Sequence, residues 1–108
     1  MDQNEEMRVI ETIAKRIAAF SSVRRIILFG SRAEGRARLD SDFDICVVTI
    51  DGAAGESAYI EMMSTIISSR YSIDLELCDE TEFARRTAEG WSVFRAIRDR
   101  GKELYAAS

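Results

Sequence analysis

The sequence predicts an α/β (α+β) domain: a small mixed β-sheet with helices packed on one face. Two observations carry the prediction. Three β-rich runs at 23–29, 43–50 and 72–78 are separated by segments whose apolar residues recur at helical spacing. Strands alternating with helices favour a sheet covered by those helices. The length, 108 residues, predicts a single domain over 1–108 with a modest core.

The elements follow in order. Residues 5–20 place Met7, Ile10, Ile13, Ala14, Ile17 and Ala18 at three- and four-residue spacing, an amphipathic helix that Ser21-Ser22 ends. A strand spans 23–29. Gly30-Ser31 turns the chain into a short helix or loop to about Arg38. The second strand follows, and Asp51-Gly52 and Gly55 mark the loop after it. Residues 56–69 predict a second long helix with Tyr59, Met62, Met63, Ile66 and Ile67 on one side. After the third strand, Asp79 is an N-cap with Glu82 as its capping-box partner. That helix ends near Gly90, and another runs over 91–100 with Gly101 as its C-cap. Residues 102–105 add a short edge strand.

Composition excludes several chemistries. There is no histidine, so Ser-His-Asp and Cys-His mechanisms are out. Cys46 and Cys78 are two cysteines in strand-like runs, a pattern of small buried hydrophobes and not of a zinc site. No apolar run approaches the ~20 residues of a membrane span, and the acidic start MDQNEEMR is unlike a secretory leader, so a cytoplasmic protein without a membrane partner is expected. A net charge of −4 argues against direct nucleic-acid binding. Arg24, Arg25, Arg32, Arg36 and Arg38 still cluster along one stretch, either as solvated flanks or as phosphate-steering groups.

Strand parity gathers the chemistry. Asp42, Asp44, Cys46 and Val48 share one face, and Phe43, Ile45, Val47 and Thr49 the other. Asp74, Glu76 and Cys78 likewise oppose Ile73, Leu75 and Leu77. If the two strands are neighbours, Asp42, Asp44 and Asp74 form one cluster. Three close carboxylates repel unless a cation intervenes. Mg²⁺ takes a few carboxylates plus phosphate oxygens, and two such ions about 4 Å apart clamp an in-line displacement at phosphorus. Asp42 and Asp44 reach the same ions, and Asp74 completes the one that activates the attacking hydroxyl. Gly30 permits close approach to a phosphate, Ser31 offers a hydroxyl and an amide, and Arg32 and Arg36 offer positive charge.

The motif G-S-x-x-x-G-x-x-x-x-x-S-D-x-D, here Gly30, Ser31, Gly35, Ser41, Asp42 and Asp44 and then Asp74, resembles the DNA polymerase β-type nucleotidyltransferase superfamily. The short length and the tail GKELY resemble its minimal nucleotidyltransferase (MNT) branch, whose members often carry Arg where this chain has Glu34. The resemblance spans the first helix to Tyr105. It implies transfer of a nucleoside monophosphate, AMP from ATP, to an acceptor hydroxyl with release of pyrophosphate. Asp42 and Asp44 would hold two Mg²⁺ ions, Asp74 would share one, and Gly30, Ser31, Arg32 and Ser41 would bind nucleotide. The catalytic core fills the chain, so the acceptor is expected to be a docking protein. The resemblance implies a HEPN-domain RNase toxin, held in a hetero-oligomer and modified on a tyrosine by this chain as its antitoxin. A small-molecule acceptor such as an aminoglycoside, or inhibition by binding alone, are the alternatives. Trp91, Phe94, Ile97, Leu104 and Tyr105 are either partner anchors or core residues.

Overall fold

A computed structural model describes residues 2–67 and 71–108. Its elements run α1 (Gln3–Ala18), β1 (Val23–Phe29), β2 (Phe43–Thr49), α2 (Glu56–Ile66), β3 (Ile73–Asp79), α3 (Glu80–Ala88), α4 (Ser92–Arg100) and β4 (Lys102–Ala106). The sheet order is β3-β2-β1-β4. β1 pairs antiparallel with both β2 and β4, whereas β2 and β3 are parallel. Parallel neighbours need a long return connection, and α2 supplies it.

Helix α1 begins at Gln3 because Asp2 caps it, its carboxylate accepting from the Glu5 amide at 2.7 Å. It ends two residues before the expected Phe20, where Phe20 and Val23 donate into successive tight turns. Val9, Ile10, Ile13, Ala14 and Ile17 are buried, but Met7 is half exposed and lies off the core stripe. In α2 the buried stripe narrows to Met62 and Ile66. Tyr59 and Ile67, expected beside them, are exposed. The helix gives way to its C-cap at Ile67, and the rest of its expected span to residue 69 lies outside the described residues.

The principal core packs α1 and α2 on one face, where Ile13, Ile17, Ile26, Leu28, Phe43, Ile45, Val47 and Met62 meet. The expectation of helices on that face alone is corrected. Phe94 and Ile97 of α4, with Phe83 of α3, cover Ile27, Cys46, Val48 and Cys78 on the opposite face. Apolar residues occupy that face beyond the first turn of each strand, and they too require cover. Phe94 and Ile97 are therefore core, Leu104 and Tyr105 lean on the first cluster, and only Trp91 of that set is well exposed.

Two caps differ in detail from expectation. Asp79 accepts from the Glu82 amide at 2.9 Å, but the Glu82 side chain turns to Arg85 and Arg86 in place of the reciprocal box contact. Gly101 caps α4 with an ordinary φ of −72°. It is demanded by space: a β-carbon there would overlap the Ile97 carbonyl oxygen and stand 2.7 Å from Ile27 Cγ2. Gly101→Ala is expected to cost about 1–3 kcal/mol by overpacking, a drop of several degrees in a thermal melt.

Candidate active site

The strand ladder decides the position of the carboxylates. In the parallel pair, Asp44 stands opposite Asp74 and Cys46 opposite Glu76. Asp42 lies on the extended lead-in to β2, two residues ahead of Asp44. Beyond this first row the face is roofed by α3 and α4, so the acidic residues occupy its open end. Asp44 is partly buried, while Asp42 and Asp74 are exposed. Burial, then the charge of Asp74 and then that of Asp42, raise the Asp44 pKa above its usual value. The predicted trio is thus one electrostatic unit.

The phosphate turn is built against this unit. Gly30 follows β1, whose Phe29 pairs with Asp44. Its φ is +73°, and a β-carbon there would overlap the Asp44 carboxylate. Both facts require glycine. The Gly30 carbonyl then accepts from the amides of Ala33 and Glu34, each at 3.1 Å, and the Ser31 carbonyl accepts from Arg36 at 2.9 Å. The chain makes tight turns here with no regular helix, one of the two forms foreseen. Ser31, partly buried, follows Gly30 into this turn.

The arginines separate into distinct duties. Arg32 is buried, with its guanidinium 4.1 Å from the Phe43 ring centre. It donates to the Ser41 carbonyl through Nη2 at 2.8 Å and Nε at 3.2 Å, and lies 3.7 Å from Glu6. Arg32, expected at the phosphates, here faces the loop instead: its planar fork orders the segment that delivers Asp42. Ser41 does similar work, its hydroxyl accepting from the Arg38 amide at 2.8 Å. Arg24 and Arg25, at the other end of β1, pair with Glu80 and Glu103. Arg36 remains at the turn, 3.3 Å from Glu34.

Arg100 is a residue that sequence reasoning missed. It arrives from the end of α4 and meets the same Glu34 oxygen at 3.2 Å. Nothing local to residue 100 signals a contact with a turn so distant in the chain. Arg86 was missed for the same reason; it approaches Glu76 at 3.5 Å and stacks near Trp91.

Among the described residues no three Asp, Glu or Cys side chains converge enough to enclose an ion by themselves. Asp42, Asp44 and Asp74 nevertheless fit Mg²⁺ in donor chemistry. They are hard oxygen ligands, they raise the proton affinity of one member of the set, and Mg²⁺ takes only one or two protein carboxylates besides phosphate oxygens.

The family model described as "Polymerase beta, Nucleotidyltransferase" matches residues 11–106. The chain belongs to this nucleotidyltransferase family. A Methanocaldococcus jannaschii protein, provisionally named a protein adenylyltransferase, is 28% identical over 103 residues, covering 94% of this chain and 99% of the relative. Among solved structures, a provisionally named nucleotidyltransferase from Sulfolobus solfataricus superposes with a TM-score of 0.67 at 23% identity, covering 96% of this chain and 83% of that one. A chain from the complex of tri-AMPylated Shewanella oneidensis HEPN toxin with MNT antitoxin gives 0.60 at 19% identity, covering 94% and 72%. The protein is a nucleotidyltransferase with the fold of these structures.

Two outcomes follow for this nucleotidyltransferase site. A carboxyl whose pKa is raised in the folded state destabilises that state as pH rises above its unfolded value. In EDTA at pH 7, Asp44→Asn should therefore melt a few degrees above the parent. The gap should close as the pH falls through the raised pKa of Asp44, where the parent carboxyl binds its proton. Arg32→Ala should lower unfolding free energy by about 2 kcal/mol in denaturant titration, and Arg32→Lys should recover little of it because an ammonium lacks the fork.

Proposed function

We propose that this nucleotidyltransferase moves AMP from ATP to a hydroxyl of a partner protein, a tyrosine of a HEPN-domain RNase toxin, and so acts as that toxin's antitoxin. The observation that carries the reading is the Asp44–Asp74 pairing with the Gly30 turn packed against Asp44. The likeness to a protein adenylyltransferase and to an assembly holding an AMPylated HEPN toxin supports the choice of acceptor.

Each residue has a part. The Ser31 hydroxyl and the turn after Gly30 bind the β- and γ-phosphates. Asp42 and Asp44 would hold two Mg²⁺ ions, and Asp74 would share one of them. When bound, Mg²⁺ neutralises phosphate charge and lowers the pKa of the acceptor hydroxyl. The exposed Asp74 carboxylate faces the acceptor and takes its proton. The acceptor oxygen bonds to the α-phosphorus, the bond to the bridging oxygen breaks, and pyrophosphate leaves. Arg32 and Ser41 act through the loop, keeping Asp42 in place. Arg36 stands beside the turn as a further positive charge for the polyphosphate.

Intact-mass measurement tests this directly. The chain is purified with the product of the neighbouring gene and given Mg²⁺ with each NTP in turn. The partner should gain one or more AMP units with ATP, and Asp42→Asn should slow this by roughly a hundredfold or more. A stable complex in which neither chain gains mass with any NTP would refute transfer to the partner and leave inhibition by binding or a small-molecule acceptor.

A further inference from the structure

Strand β3 ends the sheet on the side of the candidate active site. The Phe43 amide donates to the Ser72 carbonyl at 2.8 Å. In a parallel ladder this turns the backbone of residues 72, 74 and 76 toward β2, and that of Ile73, Leu75 and Leu77 outward. Among the described residues, no strand pairs with that outer edge. Edge strands are ordinarily blunted by charged side chains, Pro, a bulge or a very short length. β3 has seven residues, no Pro and an unbroken seven-pair register with β2, and its only charges, Asp74, Glu76 and Asp79, are acidic, which disfavours another acidic strand and not a basic one.

The edge is flanked by space. Two open hollows of about 260 and 380 Å³ lie along it and share Ala54, Gly55, Leu77 and Arg86. One wall is the start of α2, with Glu56 and the exposed Tyr59; the other is α3, with Glu82 and Arg86. Asp74 stands on the same strand, one residue before Leu75, which lines one of the hollows.

Charge selects the occupant. Glu56, Glu76, Asp79 and Glu82 line the hollows against Arg86 alone, which already pairs with Glu76 and Glu82. A second copy adding antiparallel through the middle of β3 would set Glu76 against Glu76, and like charges directly opposite destabilise a sheet. A strand carrying Lys or Arg meets no such conflict. We propose that the outer edge of β3 docks an extended, basic segment of the acceptor protein as a fifth strand. Main-chain hydrogen bonds to Leu75 and Leu77 give affinity, and the surrounding carboxylates give selectivity. A segment so bound runs beside Asp74, which places its hydroxyl-bearing side chain at the reacting end. The identity of the segment as acceptor rests on the proposed function; the docking itself does not.

The test uses the full chain without nucleotide or divalent cation. The probes are the peptide Lys-Val-Lys-Val-Tyr-Val-Lys-Val-Lys and its counterpart with Glu for every Lys. Amide resonances and hydrogen exchange locate binding, and anisotropy measures it. The Lys peptide should bind at least about tenfold more tightly than the Glu peptide. It should shift and protect the Leu75 and Leu77 amides, and lose about fivefold in affinity with Glu56→Lys. Equal affinity for the two peptides, no binding at millimolar concentration, or protection elsewhere would overturn the proposal. So would protection of the same amides by self-association before peptide is added, which would assign the edge to a second copy. Because no transfer is read, failure of the adenylyl reaction leaves this result standing.

Discussion

The parallel pairing of β2 with β3, in the register that sets Asp44 opposite Asp74, is the constraint on which the rest of the molecule depends. It is enforced from the other side of the sheet. Phe43, Ile45, Val47 and Leu75 point into the α1–α2 core, and a slip of one residue would carry Asp44 or Asp74 into that core. Burying an unpaired carboxylate costs far more than any gain from the shifted ladder. The apolar half of each strand thus places the acidic half, and the connection through α2 makes the parallel arrangement reachable.

That placement is held against electrostatic cost. Asp44 has two carboxylate neighbours, and its pKa is raised by burial and by both of them. The Gly30 turn closes on the same carboxylate with no room for a side chain. The surrounding structure overcomes the repulsion through contacts outside the cluster. Chief among them is Arg32, stacked on Phe43 and bonded to Ser41, which fixes the loop leading to Asp42. A positive charge near the site is thereby committed to scaffold and is not paired with the Asp42, Asp44 and Asp74 carboxylates. Local conflict of this kind is characteristic of functional sites, where the local rules of folding give way.

The second face of the sheet divides along the strands. Near the start of β2 and β3 it is acidic and open; farther on, Cys46, Val48 and Cys78 are sealed by Phe94 and Ile97. Helices α3 and α4 therefore serve two purposes. They complete the core, and they bring Arg86 and Arg100 from late in the chain to Glu76 and Glu34 at the margins of the site.

Periodicity alone determined the strands, the helices and the composition of the acidic face, because alternation in a strand and the 3.6-residue turn of a helix are local properties. The conjunction of Gly30, Ser31, Asp42, Asp44 and Asp74 was legible for the same reason: each belongs to a short pattern whose geometry is fixed within a few residues. Helix ends were less so, since Asp2 and the turns after Ala18 set the limits of α1 through individual hydrogen bonds. Only the tertiary structure decided which strands are neighbours and that helices cover both faces. It alone showed that Arg32 is a buried organiser and that Arg100 meets Glu34. A guanidinium carries the same charge on a phosphate as on a loop carbonyl, and its sequence neighbours do not distinguish the two. What distinguishes them is the ring of Phe43 and the carbonyl of Ser41, brought to Arg32 by the closing of the loop.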